Sequence, residues 1–279
     1  MASIGQAGHR PDYRSSKDKD WHLALEQPAD LVAVAGGDGT VAKVGKRLIQ
    51  RDTPLTILPL GTANNIFKTL YPPTPIEDLI AGWATARRRS CDLGSVRGPW
   101  GNASFIESFG IGLLARMISD SDGRASRAIP DPTTQPDAFF KQVAELTLTY
   151  PARHFKVVLD GRDLSGEYVL LEAMNTKFIG PNFCLAPEAE PDDRLVDLVL
   201  LRSDERQRFV TYLAARAENP LEPGPFLARK GEHLHVEFQD RDVHIDDQVW
   251  RDKDSSSFPS QSVVDVDVDG NALEFLVPC

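Results

Sequence analysis

Two short segments carry most of the chemistry legible in this sequence: Gly36-Gly37-Asp38-Gly39-Thr40 and Pro59-Leu60-Gly61-Thr62-Ala63-Asn64-Asn65. Three glycines in five residues permit close approaches that side chains would forbid, so backbone amides there can cradle a phosphate. A helix opening near Thr40 adds its positive end, and Asp38 supplies a carboxylate suited to a metal ion or a hydroxyl donor. The second segment brings Gly61, the Thr62 hydroxyl and two amide side chains. A plainer reading stands beside each: glycine turns between strand and helix are common, and Asn64 at a helix start would serve as its cap. Neither GxxxxGK[ST] nor GxGxxG is present, so P-loop and Rossmann fingerprints are not the reading.

These segments need strands to hold them. Leu31 to Ala35 is a compact apolar run that feeds the first glycine segment, Val41, Val44 and Leu48 recur at helical spacing, and Leu55 to Leu58 leads into the second. The result is a βαβ unit with both loops at the carboxyl ends of its strands, where ligands bind in open α/β sheets. Trp21 to Leu25 is a short helix candidate before it. Helices are expected at Ile66 to Leu70 and over Ile76 to Trp83. From about Arg89 short β-like runs dominate (155–159, 168–173, 195–201, 234–238, 263–268), with Asp160-Gly161 and Asp269-Gly270 as hairpin turns. Two helices interrupt them, near 137–148 and 204–217, the latter with Ser203 as N-cap. The expected fold is α/β + β: an α/β domain over residues 1–92 and a mainly β domain over 93–279 that completes the cleft.

Composition fits a folded chain. Of 279 residues 41% are hydrophobic and 26% charged, which argues against disorder or a coiled coil. The net charge of −10 argues against nucleic acid as the main partner. No apolar run is long enough to span a bilayer, and the first residues lack a secretory leader, so the expected location is cytoplasmic. Cys91, Cys184 and Cys279 are odd in number and far apart, the pattern of reduced, packed thiols.

LVAVAGGDGTVAKV followed by LTILPLGTANNIFKTL resembles the diacylglycerol kinase catalytic-domain family, which includes bacterial lipid kinases and sphingosine kinases. Weaker similarity runs through Ser108-Phe109-Gly110-Ile111-Gly112, the segment from Ala186 to Asp197, and Val243 to Gln248. The resemblance implies an N-terminal α/β nucleotide-binding domain related to NAD kinase and phosphofructokinase, a C-terminal β-sandwich, and ATP with Mg2+ in the cleft between them. It implies phosphoryl transfer to a lipid hydroxyl at a membrane surface, with a peripheral position at the inner membrane face and a homodimer left open. By motif position, Gly36, Gly37, Asp38, Gly39 and Thr40 form the triphosphate loop, and Gly61, Thr62 and Asn64 a second phosphate-facing loop. Asp38 serves magnesium or the reacting hydroxyl, Asp246 takes the place of a late general base, and Asp193 with Asp197 takes that of a structural magnesium site. The alternatives are an NAD kinase-like enzyme, from the shared GGDG loop, and a degenerate nucleotide-binding regulatory protein.

Departures from the family pattern are specific. The Asn-Pro-x-Ser-Gly loop has no counterpart before Asp30, which implies that a βα unit of roughly 30 residues is absent. The late Asp-Gly-Glu reads Asp246-Asp247-Gln248, Arg194 replaces the glycine of the metal segment, and Leu114 stands where many members have an acid. Asp269-Gly270-Asn271 is a rival placement of the late motif. Among weaker candidates, His233 and His235 lack further ligands at zinc spacing. Asp265, Asp267 and Asp269 read as a solvated strand face and not a calcium loop. Ser255-Ser256-Ser257 reads as a flexible insert, and Arg87-Arg88-Arg89 as a solvated helix end with anionic lipid as the alternative.

Overall fold

The structure is a computed structural model that describes residues 1–121, 129–219, 222–239, 242–250 and 261–279, so Ser255-Ser256-Ser257 lies outside the described residues. Ahead of the first glycine segment come α1 (Ala2–Gln6) and a 3-10 turn (Trp21–Glu26). Then β1 (Val32–Gly36), α2 (Asp38–Gly45) and β2 (Leu55–Pro59) form the βαβ unit that the apolar periodicity predicts. The two strands are parallel, with Val32 opposite Leu55 and Gly36 opposite Pro59. The short helices α3 (Asn65–Leu70) and α4 (Ile76–Gly82) follow. Val41, Val44, Leu48, Ile66, Phe67 and Leu79 bury their side chains with Leu55 and Ile57 in one core.

The long strand β3 (Arg87–Gly98) leaves this layer, followed by β4 (Gly101–Phe105), β5 (Ser108–Gly112), α5 (Leu113–Ser121) and α6 (Pro136–Thr149). After them come β6 (Arg153–Leu159), β7 (Arg162–Asp163), β8 (Gly166–Met174), β9 (Phe178–Ile179), β10 (Phe183–Cys184), β11 (Val196–Arg202) and α7 (Arg206–Glu218). The chain ends with β12 (Arg229–Gly231), β13 (Leu234–Phe238), β14 (Val243–Ile245), β15 (Gln248–Trp250) and β16 (Ser262–Val277). Strand β6 serves two layers: residues 153–155 pair with β8, and residues 156–159 pair with β13. The sheet folds over there into a β-sandwich, closed on Phe105, Phe109, Phe155, Leu171, Val236 and Val264. Helices α5, α6 and α7 cover the outer face through Leu113, Phe139, Val143 and Phe209, packed on Leu170 and Val199. The molecule thus has an N-terminal α/β layer and a C-terminal β-sandwich.

One hairpin expectation holds and several other local expectations change. Asp160-Gly161 is a hairpin turn, both residues at positive φ (48° and 77°), the geometry a two-residue connection favours. Asp269-Gly270 is not, because β16 continues through it. Leu93 pairs with Asp269 and Cys91 with Leu273, so three residues of β16 stand against one of β3 and the surplus forms a bulge. Beyond it, Phe275 pairs parallel with Leu55, so the last strand of the chain completes the N-terminal layer. Arg87 to Arg89 open a strand and not a helix end: Arg88 reaches Asp52 and Glu274, and Arg89 reaches Glu190. Ser203 lies in a 3-10 turn before α7 and gives no side-chain cap, while Glu205 accepts the Arg202 N–H. Cys91 and Cys184 are buried free thiols, whereas Cys279 is exposed.

The bulge is stitched by Asp92. Its buried carboxylate accepts the N–H of Asn271 on Oδ1 and of Arg194 on Oδ2, each at 2.7 Å. Arg194 and Asn271 both sit at positive φ, 62° and 54°, where a side chain is strained, and these charge-assisted bonds hold them there. Asparagine at position 92 would turn an amide N–H2 toward one of the two donors. Asp92→Asn is therefore expected to cost about 1.5–3 kcal/mol in urea unfolding; an unchanged midpoint would contradict the assignment.

Candidate functional site

The parallel register of β1 and β2 delivers both glycine segments to one edge, and there their backbones touch. A Cβ on Gly61 would lie 2.2 Å from the Gly37 Cα, and one on Gly37 3.0 Å from the Gly61 Cα. Glycine is thus required because two main chains meet, a stronger constraint than the approach of a ligand oxygen to one of them. A Cβ on Gly36 would sit 2.9 Å from the Thr40 hydroxyl, and one on Gly39 2.2 Å from Asp247 Oδ2. Thr40 and Val41 N–H both close on the Gly37 carbonyl, while helix geometry gives the N–H groups of Asp38 and Gly39 no intrahelical acceptor. Thr62 is exposed at the rim of the second loop.

Asn64 does not cap α3. It sits at φ 54°, and its side chain closes the second loop on itself, accepting the Gly61 N–H at 2.9 Å and donating to the Gly61 carbonyl at 2.8 Å. The cap comes from the other loop, since Asp38 Oδ1 accepts the Ile66 N–H at 2.8 Å. Burial raises the Asp38 pKa, against the pull of backbone donors at Ile66 and Asn65. Asp38 therefore ties the two loops together with one oxygen.

Asp246 and Asp247 form the two-residue connection of the β14–β15 hairpin. Asp246, at φ 51°, takes the left-handed conformation, so glycine is not needed at 247 as the family pattern suggests. Asp246 is buried; Oδ1 accepts the N–H of Ile106 (3.0 Å) and Glu107 (2.8 Å). Lys46 Nζ, just past α2, lies 2.6 Å from Oδ2 as an ion pair outside hydrogen-bond geometry, so that oxygen has no hydrogen-bond partner. Behind it, His244 places Nδ1 2.8 Å from the Asp246 carbonyl and Nε2 3.0 Å from Glu172, both side chains fully buried. Burial alone would lower the His244 pKa, but Glu172 outweighs it and holds the imidazole above its usual value. The late motif thus lies beside the glycine segment through Asp247. The rival Asp269 lies at the β16 bulge.

Glu107 escapes sequence reading, although an acid alone among Phe105, Ile106 and Phe109 is a legible signal. It is buried and takes a 2.6 Å hydrogen bond from Asn65 Nδ2, whose amide also donates to the Gly180 carbonyl. Burial first, then the charges of Asp38 and Asp246, push its pKa well above the ordinary 4.5. Asp38, Glu107, Asp246 and Asp247 are therefore an electrostatically coupled acidic group beside two amide-rich loops. These acids are not grouped as three or more metal ligands among the described residues, so a divalent cation here would take one or two of them and complete its shell with ligand oxygens and water.

Asp193 and Asp197 do not fit a metal. Lys230 Nζ stands 2.6 Å from Asp193 Oδ2 and 3.8 Å from Asp197 Oδ2, and among the described residues no three His, Cys, Asp or Glu side chains group as metal ligands. His233 and His235 pair with Asp267 and Asp265, each at 2.7 Å, so this strand face is occupied by its own cross-strand partners.

Because folding raises the Glu107 pKa, its contribution to stability is full below about 4.5 and is lost as pH rises through the folded value. Glu107→Gln keeps an acceptor for Asn65 without the charge. Melting curves from about pH 5 to about pH 9 are expected to show a smaller loss of stability in the variant than in the parent. Parallel curves would refute a buried neutral acid at 107.

With this geometry in place, the comparisons agree with one another. The family model described as diacylglycerol kinase catalytic domain matches residues 10–96, and that described as YegS C-terminal NAD kinase beta sandwich-like domain matches 118–248. A diacylglycerol kinase of Mycobacterium tuberculosis is 25% identical over 230 residues, which cover 80% of this chain and 72% of that protein. One of Bacillus subtilis is 27% identical over 211 residues, 74% of this chain and 62% of that protein. A crystal structure of a diacylglycerol kinase from Bacillus anthracis superposes with a TM-score of 0.63 at 19% identity, over 94% of this chain and 83% of that one. This last likeness concerns the fold. The chain belongs to the diacylglycerol kinase catalytic-domain family.

Proposed function

We propose that this chain is an ATP-dependent lipid kinase that transfers the γ-phosphoryl group to a lipid hydroxyl, with a diacylglycerol-like acceptor. The observation that carries the reading is the meeting of two glycine loops at Gly37 and Gly61, with Asp247 against Gly39 and Asp246 behind it. Phosphoryl transfer asks mainly for positioning and charge neutralisation. The N–H groups of Asp38 and Gly39, without intrahelical acceptors, would hold phosphate oxygens, and Lys68, on the helix after the second loop, adds positive charge close to Asp38. Asp38 and Asp247 would hold Mg2+, which when bound neutralises charge on the triphosphate. Asp246 has one oxygen anchored by two N–H groups and the other ion-paired with Lys46 but not hydrogen-bonded; to act as proton acceptor, Oδ2 must be reached by the hydroxyl beside Lys46. The acceptor oxygen forms its bond to γ-phosphorus as the bond to the ADP oxygen breaks, and the hydroxyl proton passes to Asp246 Oδ2.

The relatives' names support diacylglycerol as acceptor, and the Pro-Leu-Gly-Thr-x-Asn loop favours the lipid branch over an NAD kinase. Among the described residues no helix is long and apolar enough to cross a membrane, which suits a catalyst meeting its acceptor at the bilayer surface.

Labelled ATP offered with diacylglycerol in mixed micelles, sphingoid bases or NAD should label diacylglycerol. Asp246→Asn retains an oxygen for the Ile106 and Glu107 donors, so the variant should fold and bind ATP. Its turnover should fall roughly 10²- to 10⁴-fold. Label in NAD alone, or ATP binding without transfer to any acceptor, would contradict the lipid-kinase reading; full turnover in the variant would remove Asp246 as base.

A further inference from the structure

The stretch from Glu188 to Asp197 is the most acidic turn of the described chain, carrying Glu188, Glu190, Asp192, Asp193 and Asp197. In the fold it is met by basic side chains from three separate elements. Arg89 on β3 lies 2.7 Å from Glu190 and 3.3 Å from Asp192, and Lys177 lies 3.7 Å from Glu190. Lys230 on β12 stands directly opposite Asp197 in the β11–β12 ladder. That register sends its ammonium between the two carboxylates, 2.6 Å from Asp193 Oδ2 and 3.8 Å from Asp197 Oδ2.

A magnesium ion bridging these aspartates would need their oxygens at about 2.0–2.1 Å, in the space Nζ fills. The remaining details favour the ammonium. Asp193 Oδ1 is already committed to the Leu195 N–H at 3.0 Å. Asp197 is almost fully buried, and Lys230 Nζ is the cation the fold brings to its Oδ2.

We propose that the Lys230 ammonium is the resident cation of this turn, and that it does there what a bound magnesium would do in a chain without the lysine. The turn is then held at any magnesium concentration, and this part of the fold is indifferent to chelators. The inference is independent of kinase activity.

Thermal unfolding of the full chain, in EDTA and in millimolar magnesium, tests it. The parent and Asp193→Asn should respond identically to magnesium, since whatever binds at the glycine loops is common to both. Lys230→Met should melt several degrees lower, and Lys230→Met with Asp193→Asn should recover part of that loss because the unpaired charge is gone. A magnesium-induced rise in the parent that Asp193→Asn abolishes would overturn the proposal, as would a Lys230→Met protein as stable as the parent. Should Lys230→Met fail to fold, Mn2+ titration followed by EPR decides the matter: equal numbers of bound ions in parent and Asp193→Asn support the ammonium, and one fewer in the variant refutes it.

Discussion

Two main chains in contact at Gly37 and Gly61 set the geometry on which the rest of the site depends. That contact requires β1 and β2 to end level, which their register provides, and it requires hydrogen in place of a side chain on both residues. Once the loops touch, Asp38 can cross from one to cap the helix that follows the other, and Asn64 can fold its own loop closed. The amide-rich edge is therefore built before any ligand arrives, which is what a catalyst working by positioning needs.

Buried carboxylates do the joining elsewhere, and their partners explain why burial is tolerated. Asp92 links β3, the β16 bulge and the turn at Arg194, while Asp246 links the β14–β15 hairpin, the β4–β5 turn and Lys46 beyond α2. Asp92 has charge-assisted donors from two distant segments, and Asp246 has two adjacent N–H donors with an ion pair to Lys46, so removing either acid leaves its partners unpaired. Glu107 differs. One amide donates to it, and burial with the like charges of Asp38 and Asp246 pushes its pKa well up. Buried acids of the same kind thus meet different surroundings: several donors at Asp92 and Asp246, one amide and neighbouring acids at Glu107.

Much of this was legible in the sequence, for identifiable reasons. The βαβ unit and its two loops stand out because glycine spacing and apolar periodicity agree there, and local signals suffice for local structure. Asp160-Gly161 turned as its residue types suggest. Asp269-Gly270 did not, since strand continuity there is decided by β3, whose pairing partner lies some 175 residues away in sequence and overrides the turn preference. The second layer of meaning at Asp193 was hidden for the same reason. Motif position marks it as acidic and close to Asp197, but only the β11–β12 register reveals the lysine opposite. Glycine at 37 was expected for a ligand and is needed for Gly61, a contact no single segment encodes.

The central claim is that the two loops jointly hold the phosphates of a nucleotide. Amide hydrogen exchange of the full chain, read residue by residue with and without magnesium and a non-hydrolysable ATP analogue, addresses it most directly. New protection is expected at Gly37 to Thr40 and at Gly61 to Asn64 together, with the β-sandwich strands unchanged. Saturating nucleotide that leaves both segments exchanging as before, or that protects one and not the other, would contradict it.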